Sequence, residues 1–177
     1  MRAQPANNRQ HGLTLLELVM TLAVLAVLSA LALPSFSAQM DQRRLAGAAE
    51  ALLADINEGR FEAAHQRRSL HLVVQPGAAW CWAVALEPGC PCGQTAACAL
   101  KSTRPVDHPS IVLSQAQPLQ LLPAGLAGGA VTGVGSAGTG AAVLESRSGQ
   151  QLRLDMHAMG RGHWCTLAGP PSRYPPC

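Results

Sequence analysis

One run of residues limits what this chain can fold into. "LTLLELVMTLAVLAVLSALAL", from Leu13 to Leu33, holds 21 residues with a single charge, Glu17. A helix rises about 1.5 Å per residue, so such a run reaches roughly 30 Å, one hydrocarbon core. The flank before it, "MRAQPANNRQHG", carries Arg2 and Arg9 and no acid. A basic flank stays on the cytoplasmic side of a membrane and sends the rest of the chain outside. Two readings compete. One is a cleaved secretory signal on an exported soluble protein, with small-residue sites at "ALA" (30–32) and "SFSA" (35–38). The other is a retained helix whose carboxylate has a partner. A central acid costs about 2.5–3.5 kcal/mol on insertion scales. Glu17 lies near one end and costs less, yet a plain signal gains nothing from it. An ionisable residue inside a membrane is a functional candidate, so the retained helix is the stronger reading.

Composition bounds the remainder. A length of 177 residues suits one compact domain plus an appendage. The chain has three Trp, two Phe and one Tyr, so Leu, Val and Ala must fill its core. A formal charge of +3 is too small to imply nucleic acid by itself. The six cysteines all lie between Cys81 and Cys177. An even count confined to the part after the apolar run points to an oxidising compartment.

Residues 35–68 continue as helix. Leu45, Ala48, Ala49, Leu52, Leu53 and Ile56 form a helical stripe, read as packing against the domain that follows. Five acids and five bases occupy other positions as a solvated face. Gly47 and Gly59 weaken this helix. From Leu70 the period becomes two. "LHLVV" (70–74), "WCWAVAL" (80–86), "SIVLS" (110–114), "PLQLL" (118–122), "AAVLES" (141–146), "QLRLDM" (151–156) and "GHWCTLA" (162–168) read as strands. The turn "RSGQ" joins 141–146 to 151–156 as a hairpin. A long helix followed by short strands predicts an α+β fold, with one antiparallel sheet packed on the outer half of the helix.

The N-terminal stretch "G-L-T-L-L-E-L", followed by an apolar run ending in Pro34, resembles type IV pilins and type II secretion pseudopilins. The resemblance implies a leader, 1–12, removed after Gly12 by a prepilin peptidase that methylates Leu13. It implies a transmembrane helix over 13–34, kinked at Pro34, and a helical continuation over 35–68. It gives Glu17 a partner, the α-amine of Leu13 on a neighbouring subunit, since an opposite charge offsets the cost of a carboxylate in lipid. "NEGRFEAAHQRRSLHLVV" and "GQQLRLDMHAMGRGHWC" are similar to segments of the GspH/FimT family of pseudopilins and minor pilins. That likeness implies a periplasmic β-rich domain over 69–177. It also implies a non-enzymatic filament subunit, single-pass in the inner membrane with its N-terminus cytoplasmic. Its partners would be other pilins, the peptidase and an inner-membrane assembly platform. The family serves either type IV pili or type II secretion. Some FimT-type pilins bind DNA through a C-terminal "GRxR", here "GRGH" (160–163). The implied DNA contacts are Arg153, Arg161, His163 and Arg173, with Arg147 able to gather beside them. Six bases against four acids after Ser69 support only weak phosphate binding.

Other motifs have bland readings. "GVGSAG" (133–138) fits a dinucleotide fingerprint, but it lies in a Gly-rich stretch, 125–140, with no helix after it, and reads as a surface loop. Cys90, Cys92 and Cys98 with His108 or His163 make a zinc site conceivable, but the spacing offers no CxxC pair. No metal, cofactor or catalytic set is expected. Cys165 and Cys177 are read as one disulfide tethering the tail. Cys81 then bonds within the 90–98 loop, with Cys98 the first partner considered.

Overall fold

The computed structural model describes residues 14–93, 97–123, 131–132, 142–157, 160–169 and 172–177, with the side chains of 31–35 and 131–132 left out. One helix, α1 (Leu15–Gln66), is followed by nine strands. The chain divides into two compact units, Met1–Ser37 and Ala38–Cys177.

In the first unit, α1 starts at Thr14. Its carbonyl accepts the first helical bond from the Leu18 N–H (3.1 Å), and its hydroxyl accepts from the Glu17 N–H (3.2 Å). Thr14 is therefore the N-cap and Glu17 the third helical residue, the spacing of a capping box.

In the second unit, Leu45, Ala48, Ala49, Leu52, Ile56 and Ala63 are buried, while Leu53 packs at the margin. The α1 C-terminus closes as a Schellman motif. Arg67 takes a left-handed φ of 53°, its N–H bonds the Ala64 carbonyl, and the Arg68 N–H bonds that of Ala63.

The strands are all antiparallel to their neighbours and form two sheets, where one was expected. The first holds β1 (Leu70–Gln75), β2 (Cys81–Ala85), β3 (Ala99–Thr103), β5 (Leu119–Leu121) and β6 (Val131–Thr132), in the order β3-β2-β1-β5-β6. The second holds β4 (Ile111–Ala116), β7 (Ala142–Ser146), β8 (Gln151–Met156) and β9 (Gly162–Ala168), in the order β4-β7-β8-β9. The split has a local cause. The free edge of β4 is met by the β1–β2 turn, not by another strand. The Trp80 indole N–H donates to the Ile111 carbonyl (2.8 Å) and the Gly77 N–H to that of Leu113 (3.0 Å). Leu70, Leu72, Trp82 and Val84 of one sheet and Leu113, Leu144, Leu152, Leu154 and Trp164 of the other share one core with the α1 stripe.

β2 is buried along its whole length, on both faces. The segment after it folds back over the outer face, held by disulfides Cys81–Cys92 and Cys90–Cys98. Cys81 therefore pairs with Cys92, not with Cys98 as expected. A third bond joins Cys165 to Cys177. It holds the tail along β9, where the Thr166 N–H bonds the Pro175 carbonyl and the Cys177 N–H bonds that of Thr166. The tail thus covers an edge that would otherwise offer free backbone groups.

Candidate functional site

The first unit carries the residues that set this chain apart from an ordinary small domain. Leu15, Leu16, Leu18, Val19, Met20, Leu22, Val24, Leu25, Val27 and Leu28 are all 51–81% exposed. They face every direction around α1, so no single contact face would bury them. A helix that is apolar all round belongs in a core or a bilayer. Its polar side chains are satisfied within the helix, since the Thr21 hydroxyl bonds the Leu18 carbonyl (2.9 Å) and the Ser29 hydroxyl that of Leu25 (2.8 Å). Such back-bonding is what lipid requires of a hydroxyl. Among the described residues, no helix is long and apolar enough to cross a membrane. The apolar run continues into 31–33, whose side chains are not described.

Glu17 is exposed and forms no ion pair among the described residues. Its carboxylate lies in the first turn of α1, where the helix dipole favours negative charge. Gly12 and Leu13 lie outside the described residues, and so does the Pro34 side chain. α1 runs through residue 34 without a break in its helical assignment. Thr14 escaped the sequence reading, although "T-x-x-E" before an apolar run signals a cap.

The C-terminal arginines do not gather. Arg153 grips Asp155 through two bonds, 2.9 and 3.1 Å. His163 faces the same carboxylate at 3.9 Å and stacks on His157. Arg161 is exposed beyond the Met156 end of β8. Arg147 lies in the turn before the opposite end, about 17 Å away at strand rise. Arg173 pairs with Glu50 of α1, lies over the Tyr174 ring and borders a groove with Gln150. Two of the four arginines are thus neutralised, and the basic groups fall at two ends. Among the described residues, no cluster of His, Cys, Asp and Glu fits a metal ion.

The sequence also hid a buried polar centre under β2. Asp55 is 3% exposed. Its carboxylate accepts from the Trp82 indole N–H (2.8 Å) and the Thr103 hydroxyl (3.3 Å), and it meets the Lys101 ammonium at 2.6 Å. Glu58 holds the same ammonium at 3.0 Å. Hydrogen bonds from Lys101 to Asp55 and then Glu58 raise its pKa above 10.5. His108 stacks on Trp82 at 5.8 Å, and its burial lowers its pKa below 6.5. Every polar group of Asp55 is engaged, so the cluster reads as a brace between α1, β2 and β3.

Residues 7–33 match the prokaryotic N-terminal methylation motif. That motif is a type IV pilin-like prepilin signal; it supports a pilin-like subunit and implies association with other pilins and a prepilin peptidase. Neither the curated proteins nor the solved structures contain a match.

Proposed function

We propose that this chain is a minor pilin or pseudopilin of the GspH/FimT kind. In this reading residues 1–12 are a leader cut after Gly12, and Leu13 becomes the methylated first residue. Residues 13–34 span the inner membrane, 35–68 continue the helix, and 69–177 form a periplasmic domain. The subunit joins a periplasmic filament of a type IV pilus or a type II secretion system.

One observation carries the reading. The first turns of α1 are apolar and exposed on every side, with a carboxylate placed one turn into them. Lipid satisfies the apolar faces before assembly, and neighbouring helices do so afterwards. Glu17 meets the α-amine of Leu13 on a neighbour, which offsets the cost of a lone carboxylate in lipid.

Mass spectrometry of the mature N-terminus tests this. A peptide beginning with N-methyl-Leu13 is expected, whereas a start at Leu33 or Gln39 would identify a cleaved secretory signal and end the proposal. Glu17→Ala is expected to be inserted and processed normally but to be missing from sheared filaments. Normal incorporation of that variant would remove the role assigned to Glu17.

A further inference from the structure

One end of the second unit is basic. Arg43 and Arg44 of α1 are exposed and form no ion pair among the described residues. Arg43 borders the same groove as Gln150 and Arg173. Gln150 closes the β7–β8 turn, where its carbonyl accepts from the Ser146 N–H (2.9 Å). Arg147 is exposed in that turn and likewise forms no ion pair among the described residues. Arg173 is held by Glu50, so the surplus comes from the other three arginines, set against Asp41. Asp107, on the loop that meets the turn at Ser110, has Arg104 of the same loop beside it. Arg173 uses its Nη2 on Glu50 and the Tyr174 hydroxyl. A guanidinium carries five N–H donors, so donors remain on its Nε and Nη1 at the groove.

Along the chain, Arg43 and Arg44 are also the first basic residues after the apolar run. Nine positions separate Pro34 from Arg43, about 14 Å at helical rise. The headgroup layer adds about 5–8 Å to each side of a hydrocarbon core. A span that ends at residue 34 therefore leaves Arg43 about 6–9 Å beyond that layer. The screening length of physiological salt is of the same size, about 8–10 Å, so the arginines still feel charge at the surface. A tilt of about 20°, usual for a spanning helix, shortens the gap further.

We propose that this basic end docks on the phosphate groups of anionic phospholipid at the membrane surface. Arg43 and Arg173 flank the groove for one headgroup phosphate, whose two anionic oxygens suit a guanidinium fork. Arg44 and Arg147 add attraction without a fixed partner. Each arginine near an anionic surface favours the docked state about fivefold. The proposal rests on the membrane-spanning reading above. It adds that lipid charge holds the folded domain down on the bilayer, beyond what the apolar run does alone.

The full chain carrying Ser148→Cys is labelled with a fluorophore and reconstituted in vesicles that contain a headgroup nitroxide lipid. The described cysteines are all disulfide-bonded, so the introduced thiol takes the label, exposed beside Arg147. Quenching is expected to be about two- to threefold stronger with phosphatidylglycerol present than in phosphatidylcholine alone, and to weaken in raised salt. A label at Arg161→Cys, at the other end of β8, should show little difference between the lipids. Arg43→Glu with Arg44→Glu should abolish the lipid effect, and Arg43→Lys with Arg44→Lys should keep it. Both side chains are exposed and unpaired, so an unchanged urea midpoint is expected to show the fold intact. Equal quenching in the two lipids, or a lipid effect untouched by the double Glu substitution, overturns the proposal while the chain stays in washed vesicles and the membrane reading stands. Loss of the effect on adding inorganic phosphate at matched ionic strength overturns it in favour of a free anion. A short DNA duplex bound through Arg43 and Arg44 without any lipid effect overturns it in favour of nucleic acid. Release of the chain from the vesicles by an alkaline wash ends both readings.

Discussion

Gly47 and Gly59 lie in the same helix, and the same substitution is expected to act on them with opposite sign. In a helix interior, Ala is favoured over Gly by about 1 kcal/mol, because Gly loses more backbone freedom on folding. At Gly47 an added Cβ meets nothing within 4 Å, so Gly47→Ala should stabilise the protein by close to that amount, about 0.5–1 kcal/mol. At Gly59 the new atom would lie 2.7 Å from Leu121 Cδ1 and 3.0 and 3.3 Å from the two Val84 methyls. Leu121 is fully buried and Val84 nearly so. Overpacking of that kind costs typically about 1–3 kcal/mol, so the net for Gly59→Ala is about 0–2 kcal/mol of lost stability. Urea unfolding followed by tryptophan fluorescence measures both, since Trp80 and Trp82 stack at 5.0 Å in the core. The midpoint should rise for Gly47→Ala and fall or stay for Gly59→Ala, with the slope unchanged. Equal stabilisation by the two substitutions would show that Gly59 is not there to let α1 approach the sheet.

Asp55→Ala should destabilise by about 2–4 kcal/mol, because it strands the buried Trp82 N–H, whereas Asp55→Asn keeps an acceptor and should cost about half as much or less. Equal losses measured by unfolding would contradict the brace role. The raised pKa of Lys101 means that its share of stability is complete below pH 10.5 and is lost as pH rises through the raised value; an alkaline unfolding series on Lys101→Met should lack that decline. His108 behaves in the opposite way. Its folded pKa lies below 6.5, so stability is held above that value and lost as pH falls through the folded value, and His108→Gln should flatten the curve between neutral and mildly acidic pH. Replacing both Cys165 and Cys177 by Ala should cost about 3 kcal/mol and release the Thr166 amide to hydrogen exchange.

What the sequence made legible follows from period and position. The stripe from Leu45 to Ile56 reads at helical spacing, and core residues of the strands, such as Leu152 and Leu154, read at strand spacing, because burial on one face writes itself into the residue pattern. β3 was not legible. "ALKST" is mostly polar or exposed, and Lys101 is held by Asp55 and Glu58 far away in sequence. The division into two sheets was hidden too, because it depends on Trp80 and Gly77 donating to carbonyls of β4. β2 misled in another way. Its Cys81, Ala83 and Ala85 would be the outer, wetter face of a two-layer fold, but the disulfide-held segment covers them. That covering segment also explains the pairing: Cys92 reaches back over β2 to Cys81, which leaves Cys90 and Cys98 to close the loop on itself. The arginines 147, 153, 161 and 173 looked like one group because short turns bring them near in sequence order, yet β8 separates them and Asp155 and Glu50 take two.

The two units use apolar residues in different ways, and this bears on Glu17. Around Leu52 the stripe occupies one side of α1, and the chain's own sheets cover it. Around Leu22 the apolar residues occupy every side, and nothing among the described residues of that unit covers them. In the proposed reading, lipid and then neighbouring helices satisfy this stretch. The same holds for the carboxylate. Its place in the first turn, capped by Thr14, gains about 0.3–1 kcal/mol from the helix dipole. An acid at mid-membrane costs about 2.5–3.5 kcal/mol and somewhat less near an end, so the local gain offsets only part of the cost. The remainder requires a positive group at the same depth. Residues 14–30 offer no basic side chain. In the proposed reading that group is the α-amine created at Leu13 by cleavage after Gly12. On that reading a neighbouring copy supplies the amine, and the Thr14 cap beside Glu17 stays intact.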